Sequence, residues 1–169
     1  MKKRIPMAIL AIIILTALDQ LVKHLISTNF QVGQTRKITD GVFQLNYVQN
    51  RGAAWGSFSG KIVFLLAITF VILLAAIYVY IRLAGNQEKK YTPLRISLVF
   101  LISGAVGNMI DRVARGYVFD FCLINFPVFN VADIFVTCSF IVIVILVLFK
   151  YKDDELSEII HQKQTDGQE

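Results

Sequence analysis

The chain is too apolar for an ordinary soluble domain, because 56% of its 169 residues are hydrophobic and only 17% are charged, against about 45–50% and about 25% in soluble domains. Its formal net charge of +5 does not indicate nucleic-acid binding, since the basic residues cluster beside apolar runs instead of combining with aromatic residues in a groove. We therefore expect one compact membrane domain over residues 1–152, followed by a polar cytoplasmic tail over 153–169.

Four apolar segments approach the length of about 20 residues that crosses a bilayer as a helix. In chain order they cover residues 5–22, 62–83, 94–110 and 131–149. The first segment also resembles a signal peptide, but no small-residue cleavage site follows it, so we interpret it as a retained helix. In the third, Ser103 and Gly107 are four residues apart and predict a close approach to another helix. The sequence thus predicts an all-α membrane protein with four transmembrane helices.

Lysines and arginines near the ends of the spans predict the orientation of the chain. They concentrate before the first span, between the second and third, and after the fourth, namely at Lys2, Lys3, Arg4, Arg82, Lys89, Lys90, Arg95, Lys150 and Lys152. Basic residues in short loops favour the cytoplasmic side. Both termini are therefore expected in the cytoplasm, and the connections 23–61 and 111–129 are expected to face outward, although the second carries Arg112 and Arg115.

The first outer connection has the pattern of a short sheet. Asp40 and Gly41 form a turn signal, after which Phe43, Leu45 and Tyr47 alternate with polar residues. We expect a small extracytoplasmic β-sheet at the membrane interface, accompanied by outer loops.

Ionisable residues in or beside membrane spans are rare and are functional candidates by default. Here they are Asp19, Asp111, Arg112, Asp120 and Asp133, all expected on the outer side. Four of these residues also fit structural roles. Asp19 is one helical turn from Lys23 and favours a local ion pair, Asp111 and Arg112 favour an interfacial ion pair, and Asp133 with Asn130 fits a helix capping box.

Asp120 has no such structural explanation, because it caps no obvious helix and lies between Phe119 and Phe121. The short connection that follows is able to bring it toward Asp133. Two carboxylates in a poorly hydrated pocket tend to share one proton, so that one activates water while the other polarises a carbonyl. We expect Asp133 to be the ionised partner because a helix N-terminus favours its charge. Asp120 is then the protonated partner, because its aromatic neighbours disfavour ionisation.

The sequence gives little indication of any other catalytic mechanism. His24 fits no catalytic triad, Cys122 and Cys138 match no metal or redox spacing, and no phosphate-binding loop occurs. We therefore expect no metal and no cofactor. Two alternatives to an enzyme remain open at this stage: a small ion- or proton-coupled carrier that uses the aspartates as relay groups, and a membrane scaffold without chemistry.

Five sequence blocks resemble the lipoprotein signal peptidase family, the signal peptidase II of bacteria. They are "LDQLVK" (18–23), "NRGAAWG" (50–56), "GNMIDRV" (107–113), "YVFDF" (117–121) and "FNVAD" (129–133). The resemblance implies an aspartic endopeptidase of the bacterial cytoplasmic membrane, with its active site toward the outer face. Such an enzyme removes the signal peptide of a prolipoprotein just before the cysteine that carries diacylglycerol.

The resemblance also assigns the residues of the site. It places the catalytic pair on Asp120 and Asp133. It gives supporting or substrate-binding roles to Asp19, Lys23, Asn50, Gly52, Asn108, Asp111, Arg112 and Asn130. The implied partners are lipid-modified prolipoproteins and membrane lipid, without nucleic acid, and the protein is expected to be a monomer.

Overall fold

The computed structural model describes residues 3–39, 43–52, 57–58, 60–123 and 128–151. Its helices and strands, in chain order, are α1 (Arg4–Asn29), β1 (Thr35–Thr39), β2 (Phe43–Asn50), α2 (Ile62–Gly85), α3 (Thr92–Arg115), β3 (Val118–Leu123), β4 (Val128–Phe129) and α4 (Val131–Phe149). The 3-10 turn Lys89–Tyr91 leads into α3.

The four α-helices are each long and apolar enough to cross a membrane, which confirms the predicted spans and makes this a multi-pass membrane protein. Two of them extend more than one turn beyond the predicted end: α1 continues to Asn29 and α3 continues to Arg115. The extra turns are polar, so the apolar runs from which the spans were predicted stop before the helices end. They stay helical inside the bundle because their charged side chains pair with one another, through Lys23, Asp19 and Asp111.

The helix at the centre of the bundle is α3, which packs against α1, α2 and α4. The apolar stretch of the span Lys89–Arg115 is 61% buried within the protein, against 17% for α1 and α2 and 11% for α4. Large side chains of the outer helices, such as Ile13, Val71 and Phe140, are exposed on the surface that faces lipid. Consequently α3 contacts other parts of the protein on most of its faces.

The close helix approach that the sequence predicted at Ser103 and Gly107 also involves Gly104, which lies where α3 meets α4. A Cβ atom added to Gly104 would lie 2.5 Å from the backbone oxygen of Ala132 and 2.9 Å from Cγ2 of Val136. No rotamer change relieves a clash with backbone, so the absence of a side chain at Gly104 sets the separation of the two helices.

We expect a Gly104→Ala protein to be destabilised, because α3 and α4 must separate to admit the methyl group. Overpacking of this kind costs about 1–3 kcal/mol. The thermal unfolding midpoint in detergent measures the effect. Val113→Ala is the matched control, since Val113 is 72% exposed on the same helix and should tolerate truncation. An unchanged midpoint for Gly104→Ala would contradict the close packing.

The strands form one antiparallel sheet in the order β1-β2-β3-β4, which confirms the predicted small sheet but makes it larger than expected. The predicted turn at Asp40 and Gly41 lies outside the described residues. The segment around Asp120, which we expected to be a connecting loop, is strand β3. Val48 of β2 lies opposite Asp120, beyond a bulge that begins at Leu45.

One side of the sheet packs on the end of α1. Tyr47, Phe119 and Phe121 are buried there and are surrounded by partly buried apolar residues that include Val22 and Ile26. The ring centroids of Tyr47 and Phe119 are 4.0 Å apart. Successive side chains of a strand point to opposite faces. The two phenylalanines therefore anchor β3 to α1, and Asp120 between them points to the other face.

Candidate functional site

Two carboxyl groups lie where the sheet meets the bundle. Asp120 is in the middle of β3 and is 2% exposed, whereas Asp133 is in the first turn of α4 and is partly exposed. Asn130 is fully buried and contacts both groups. Its Nδ2 donates to Oδ1 of Asp120 at 2.7 Å, and its backbone N–H donates to Oδ2 of Asp133 at 3.1 Å. One residue thus connects the strand that carries Asp120 with the helix that carries Asp133.

The predicted capping box is confirmed. Oδ1 of Asn130 accepts from the backbone N–H of Asp133 at 3.0 Å, in return for the bond from the Asn130 backbone to the Asp133 carboxylate. The free N–H groups at the start of a helix require such partners. The cap therefore fixes the position of Asp133 relative to the start of α4.

Two further asparagines complete the surroundings of the carboxyl groups. Nδ2 of Asn108, on α3, donates to Oδ1 of Asp133 at 2.8 Å, and Nδ2 of Asn50, at the end of β2, donates to Oδ2 of Asp120 at 2.9 Å. Each of the four carboxylate oxygens accordingly accepts one hydrogen bond from an asparagine. Since a carboxylate oxygen has more than one acceptor position, each is still able to bind water or a shared proton.

The orientation of these three amides follows from groups that are only able to donate. Oδ1 of Asn50 accepts from the backbone N–H of Gly52 at 2.8 Å, and Oδ1 of Asn108 accepts from Nζ of Lys23 at 3.2 Å. Oδ1 of Asn130 faces the backbone N–H of Asp133. With each oxygen held in this way, the NH₂ group of each amide must face a carboxyl group.

A buried ion network lies behind Asn108. Lys23 is fully buried, and its Nζ is 2.8 Å from Oδ2 of Asp19 and 2.7 Å from Oδ2 of Asp111. The predicted pair of Asp19 and Lys23 is therefore confirmed, and Asp111 is a second partner that the sequence did not indicate. Oδ1 of Asp19 also accepts from the backbone N–H of Ala132 at 2.9 Å, so that α1 supplies part of the cap of α4.

The predicted ion pair of Asp111 with Arg112 is wrong. Asp111 pairs with Lys23 and, at 2.8 Å, with Nη1 of Arg115 one turn later, because consecutive residues of a helix point in different directions. Arg112 donates instead to the backbone oxygen of Gly52 at 3.2 Å. It thereby ties the segment after β2 to α3. The "NRGAAWG" block continues into residues 53–56, which lie outside the described residues.

Sequence reasoning gave Gln20 no role in the site and gave Gly107 a role in helix packing alone. Nε2 of Gln20 donates to Asp19 at 3.1 Å and to the backbone oxygen of Gly107 at 3.2 Å. A Cβ atom on Gly107 would lie 2.6 Å from Oδ2 of Asp19, so this glycine makes room for the carboxylate as well as for helix packing. Gln20 lies inside the block "LDQLVK", and its position beside Asp19 is the sequence feature from which its role could have been predicted.

The surroundings of Asp120 favour its neutral form. Burial, followed by the nearby charge of Asp133, raises the pKa of Asp120 to about 7, although the hydrogen bonds from Asn50 and Asn130 and the charge of Lys23 oppose the shift. A carboxyl group with this pKa is able both to donate and to accept a proton near neutral pH. Beside a second carboxylate, it has the chemistry required for acid–base activation of water.

Comparison with known proteins extends over nearly the whole chain. Residues 11–149 match the family described as signal peptidase (SPase) II. A lipoprotein signal peptidase of Lactococcus lactis subsp. lactis (strain IL1403) is 39% identical over 152 residues, which cover 88% of this chain and 96% of that relative. A lipoprotein signal peptidase of Streptococcus thermophilus (strain CNRZ 1066) is 41% identical over 152 residues, which cover 88% and 94%.

A solved structure agrees with these matches. It is described as a bacterial membrane enzyme determined by the in meso method at 2.3 Å resolution, and it superposes with a TM-score of 0.75 at 30% identity. The superposition covers 98% of this chain and 96% of that one. The range matched by the family contains both Asp120 and Asp133.

Proposed function

Because this chain belongs to the signal peptidase II family, and is therefore a signal peptide-cleaving membrane peptidase of the aspartic type, we propose that Asp120 and Asp133 are its catalytic pair. The observation that carries the proposal is the position of Asn130, which contacts both carboxyl groups at once. The amides of Asn50 and Asn108 support it, because they direct hydrogen-bond donors at the same two groups.

In the proposed reaction, Asp133 acts first as a general base and Asp120 as a general acid. Asp133 takes a proton from water, the water oxygen attacks the carbonyl carbon of the scissile bond, and Asp120 gives its proton to the carbonyl oxygen. The tetrahedral intermediate then collapses. Asp133 returns its proton to the departing nitrogen, the C–N bond breaks, and Asp120 recovers a proton from the hydroxyl group.

The division of roles rests on the different locations of the two carboxyl groups. Asp133 lies at the positive end of α4 and accepts the Asn130 backbone N–H, and both features favour its ionised form. Asp120 is almost completely buried, with a raised pKa. Because the pair interacts strongly, its protons belong to the pair as a whole.

We further propose that the bond cleaved is the one just before a diacylglyceryl-modified cysteine, in a lipoprotein precursor. The membrane setting supports this substrate, because a lipid-anchored precursor presents its cleavage site beside the bilayer. An apolar groove of about 990 Å³ between α3 and α4 supports it as well. The groove begins at Ile134, next to Asp133, and continues past Phe135 to Val142, which offers a place for the apolar part of a signal peptide.

The proposed orientation places both termini in the cytoplasm and the catalytic pair toward the outer face of the membrane. Arg4 at the start of α1 donates to Ala84 at the end of α2, and Tyr151 after α4 donates to Lys90 before α3. The basic ends of the helices therefore meet at one end of the bundle, and the positive-inside rule assigns that end to the cytoplasm. The proposed tail 153–169 lies outside the described residues, and the monomeric state stays a prediction.

Cleavage of a synthetic precursor tests the proposed substrate. Purified protein in vesicles is given a precursor peptide with a diacylglyceryl cysteine and, separately, the same peptide with an unmodified cysteine. We expect release of the signal peptide from the modified precursor alone, with mass spectrometry showing the lipidated cysteine as the new N-terminal residue. Equal cleavage of both peptides, or a cut at another bond, would refute the substrate proposal while leaving the catalytic pair open to its own test.

We expect a bell-shaped dependence of cleavage rate on pH. Asp120 must carry its proton, and because its pKa is about 7, the active fraction should fall about tenfold for each pH unit above that value. At acid pH the rate should fall again as Asp133 takes up a proton. Initial rates between pH 4 and pH 9 measure the profile, with the unfolding midpoint recorded at each pH as a control. A flat profile would argue against a shared proton.

A further inference from the structure

A second groove lies between α1 and α3, at the end of the bundle away from the catalytic pair. It has a volume of about 550 Å³. Arg4, Tyr80 and Arg95 lie at one end of the groove, and its apolar walls continue to Leu15 of α1 and Phe100 of α3. The proposed reaction uses none of these residues.

The two arginines bring their charges to the same place. Both guanidinium groups donate to the backbone oxygen of Asn86, and Nη1 of Arg95 is 3.0 Å from it. Their remaining bonds include the last carbonyls of α2, at Leu83 and Ala84. Within the described part of the chain, no carboxylate lies within ion-pair distance of either guanidinium.

This arrangement leaves positive charge at the mouth of the groove. A helix C-terminus carries the equivalent of about half a negative charge, which offsets only part of two guanidinium charges. The four Nη hydrogens of Arg95 are already donated to Leu83, Asn86, Glu88 and Thr92. An anionic group that bound there would therefore meet the charge of Arg95 and hydrogen-bond to Arg4, without displacing a carboxylate, and phosphate oxygens suit the guanidinium group of Arg4 well.

The length of the groove indicates what the anionic group is attached to. From Arg4 to Leu15 the helix advances eleven residues, or about 16 Å at 1.5 Å per residue. The hydrocarbon core of a bilayer is about 30 Å thick, so the groove extends across about half of it. Its walls along α1, including Met7, Ala11 and Ile14, are apolar. Those dimensions match one acyl chain of one leaflet.

We propose that this groove binds one phospholipid with an anionic headgroup. The phosphate lies against Arg4 and Arg95, and one acyl chain follows α1 as far as Leu15. A zwitterionic phospholipid fits the apolar walls equally well, but its cationic headgroup meets the two arginines unfavourably. The site therefore distinguishes phospholipids by the charge of the headgroup.

Native mass spectrometry tests the proposal on the full chain. The purified protein is mixed in detergent with dioleoyl-phosphatidylglycerol or dioleoyl-phosphatidylcholine, and retained lipids are counted as the collision energy rises. We expect one phosphatidylglycerol to be retained in preference to phosphatidylcholine. Arg4→Gln should weaken that retention about tenfold or more, because it removes a hydrogen-bonded charge. Lys150→Gln is the matched control, since it removes an exposed charge at the same end of the bundle.

A second variant separates lipid binding from the helix contacts of Arg4. Ala11→Leu fills the groove and leaves both arginines in place, so it should also reduce phosphatidylglycerol retention without lowering the unfolding midpoint. Equal retention of the two lipids by the parent protein would overturn the proposal. So would an Ala11→Leu protein that retains phosphatidylglycerol as well as the Lys150→Gln control does, whatever the stability of Arg4→Gln.

Discussion

Asp120→Asn and Asp133→Asn proteins should each cleave a lipidated precursor about two to four orders of magnitude more slowly than the parent, the usual contribution of one acid–base group. An amide has nearly the shape of a carboxyl group, but it is unable to take a proton from water or to give one to the carbonyl oxygen. Initial cleavage rates in vesicles measure the loss. Glu88→Gln is the matched control, because the Glu88 side chain is 55% exposed at the opposite end of the bundle.

The same variants show whether any loss reflects chemistry or folding. The raised pKa of Asp120 means that the folded protein holds this proton more tightly than the unfolded chain does. The protonated carboxyl group therefore contributes to the free energy of unfolding below about pH 4, and this contribution is lost as the pH rises toward about 7. Asp120→Asn lacks this dependence, so its unfolding midpoint should equal or exceed that of the parent above pH 7. A stable variant with near-normal cleavage, at either position, would refute the catalytic pair.

Replacing Lys23 should have the largest effect on stability. In a Lys23→Met protein, Asp19 and Asp111 stay buried without the ammonium group that lies 2.8 and 2.7 Å from them. Removal of one member of a buried ion network typically costs about 3–5 kcal/mol. Lys61→Met is the control, because Lys61 is exposed at the start of α2. Unfolding midpoints within experimental error of each other would contradict the expected cost.

Lys23 should also affect catalysis through Asn108. Its Nζ holds the Asn108 oxygen and so keeps the NH₂ group toward Asp133. A triple variant, Lys23→Met with Asp19→Asn and Asp111→Asn, also removes the two carboxylate charges that Lys23 neutralises and should recover part of the stability. It should stay slow in cleavage, because the Asn108 oxygen loses the ammonium group and keeps only the hydrogen bond from Nδ2 of Asn130 at 3.2 Å. Recovery of both properties together would mean that Lys23 acts only on folding.

The features that the sequence predicted are those that depend on local patterns. The four spans follow from continuous apolar runs, and the cap at Asn130 and Asp133 follows from a spacing of three residues. Membership of a peptidase family then favours the enzyme over the carrier that the same aspartates suggested. The prediction that Asp120 approaches the start of α4 agrees with its contact to Asn130.

The features that were missed depend on residues far apart in the chain. Strand β3 is recognisable only with β2 beside it, and the paired residues Val48 and Asp120 are 72 positions apart. The aromatic neighbours of Asp120 seemed to explain its neutral form, yet Phe119 and Phe121 pack on the other face of the sheet. Burial and the charge of Asp133 are the causes instead. Both depend on tertiary contacts that a periodic pattern does not encode.

The ion network has a consequence for how the protein enters the membrane. Each acid of this network has a base four residues later in its own helix: Asp19 with Lys23 in α1, and Asp111 with Arg115 in α3. A helix that carries its own counterion presents less net charge to lipid while it is still alone. Each of the two helices is therefore able to insert separately during synthesis. Lys23 reaches Asp111 only once α1 and α3 are packed together. The ion pair between Lys23 and Asp111 therefore forms only in the assembled bundle.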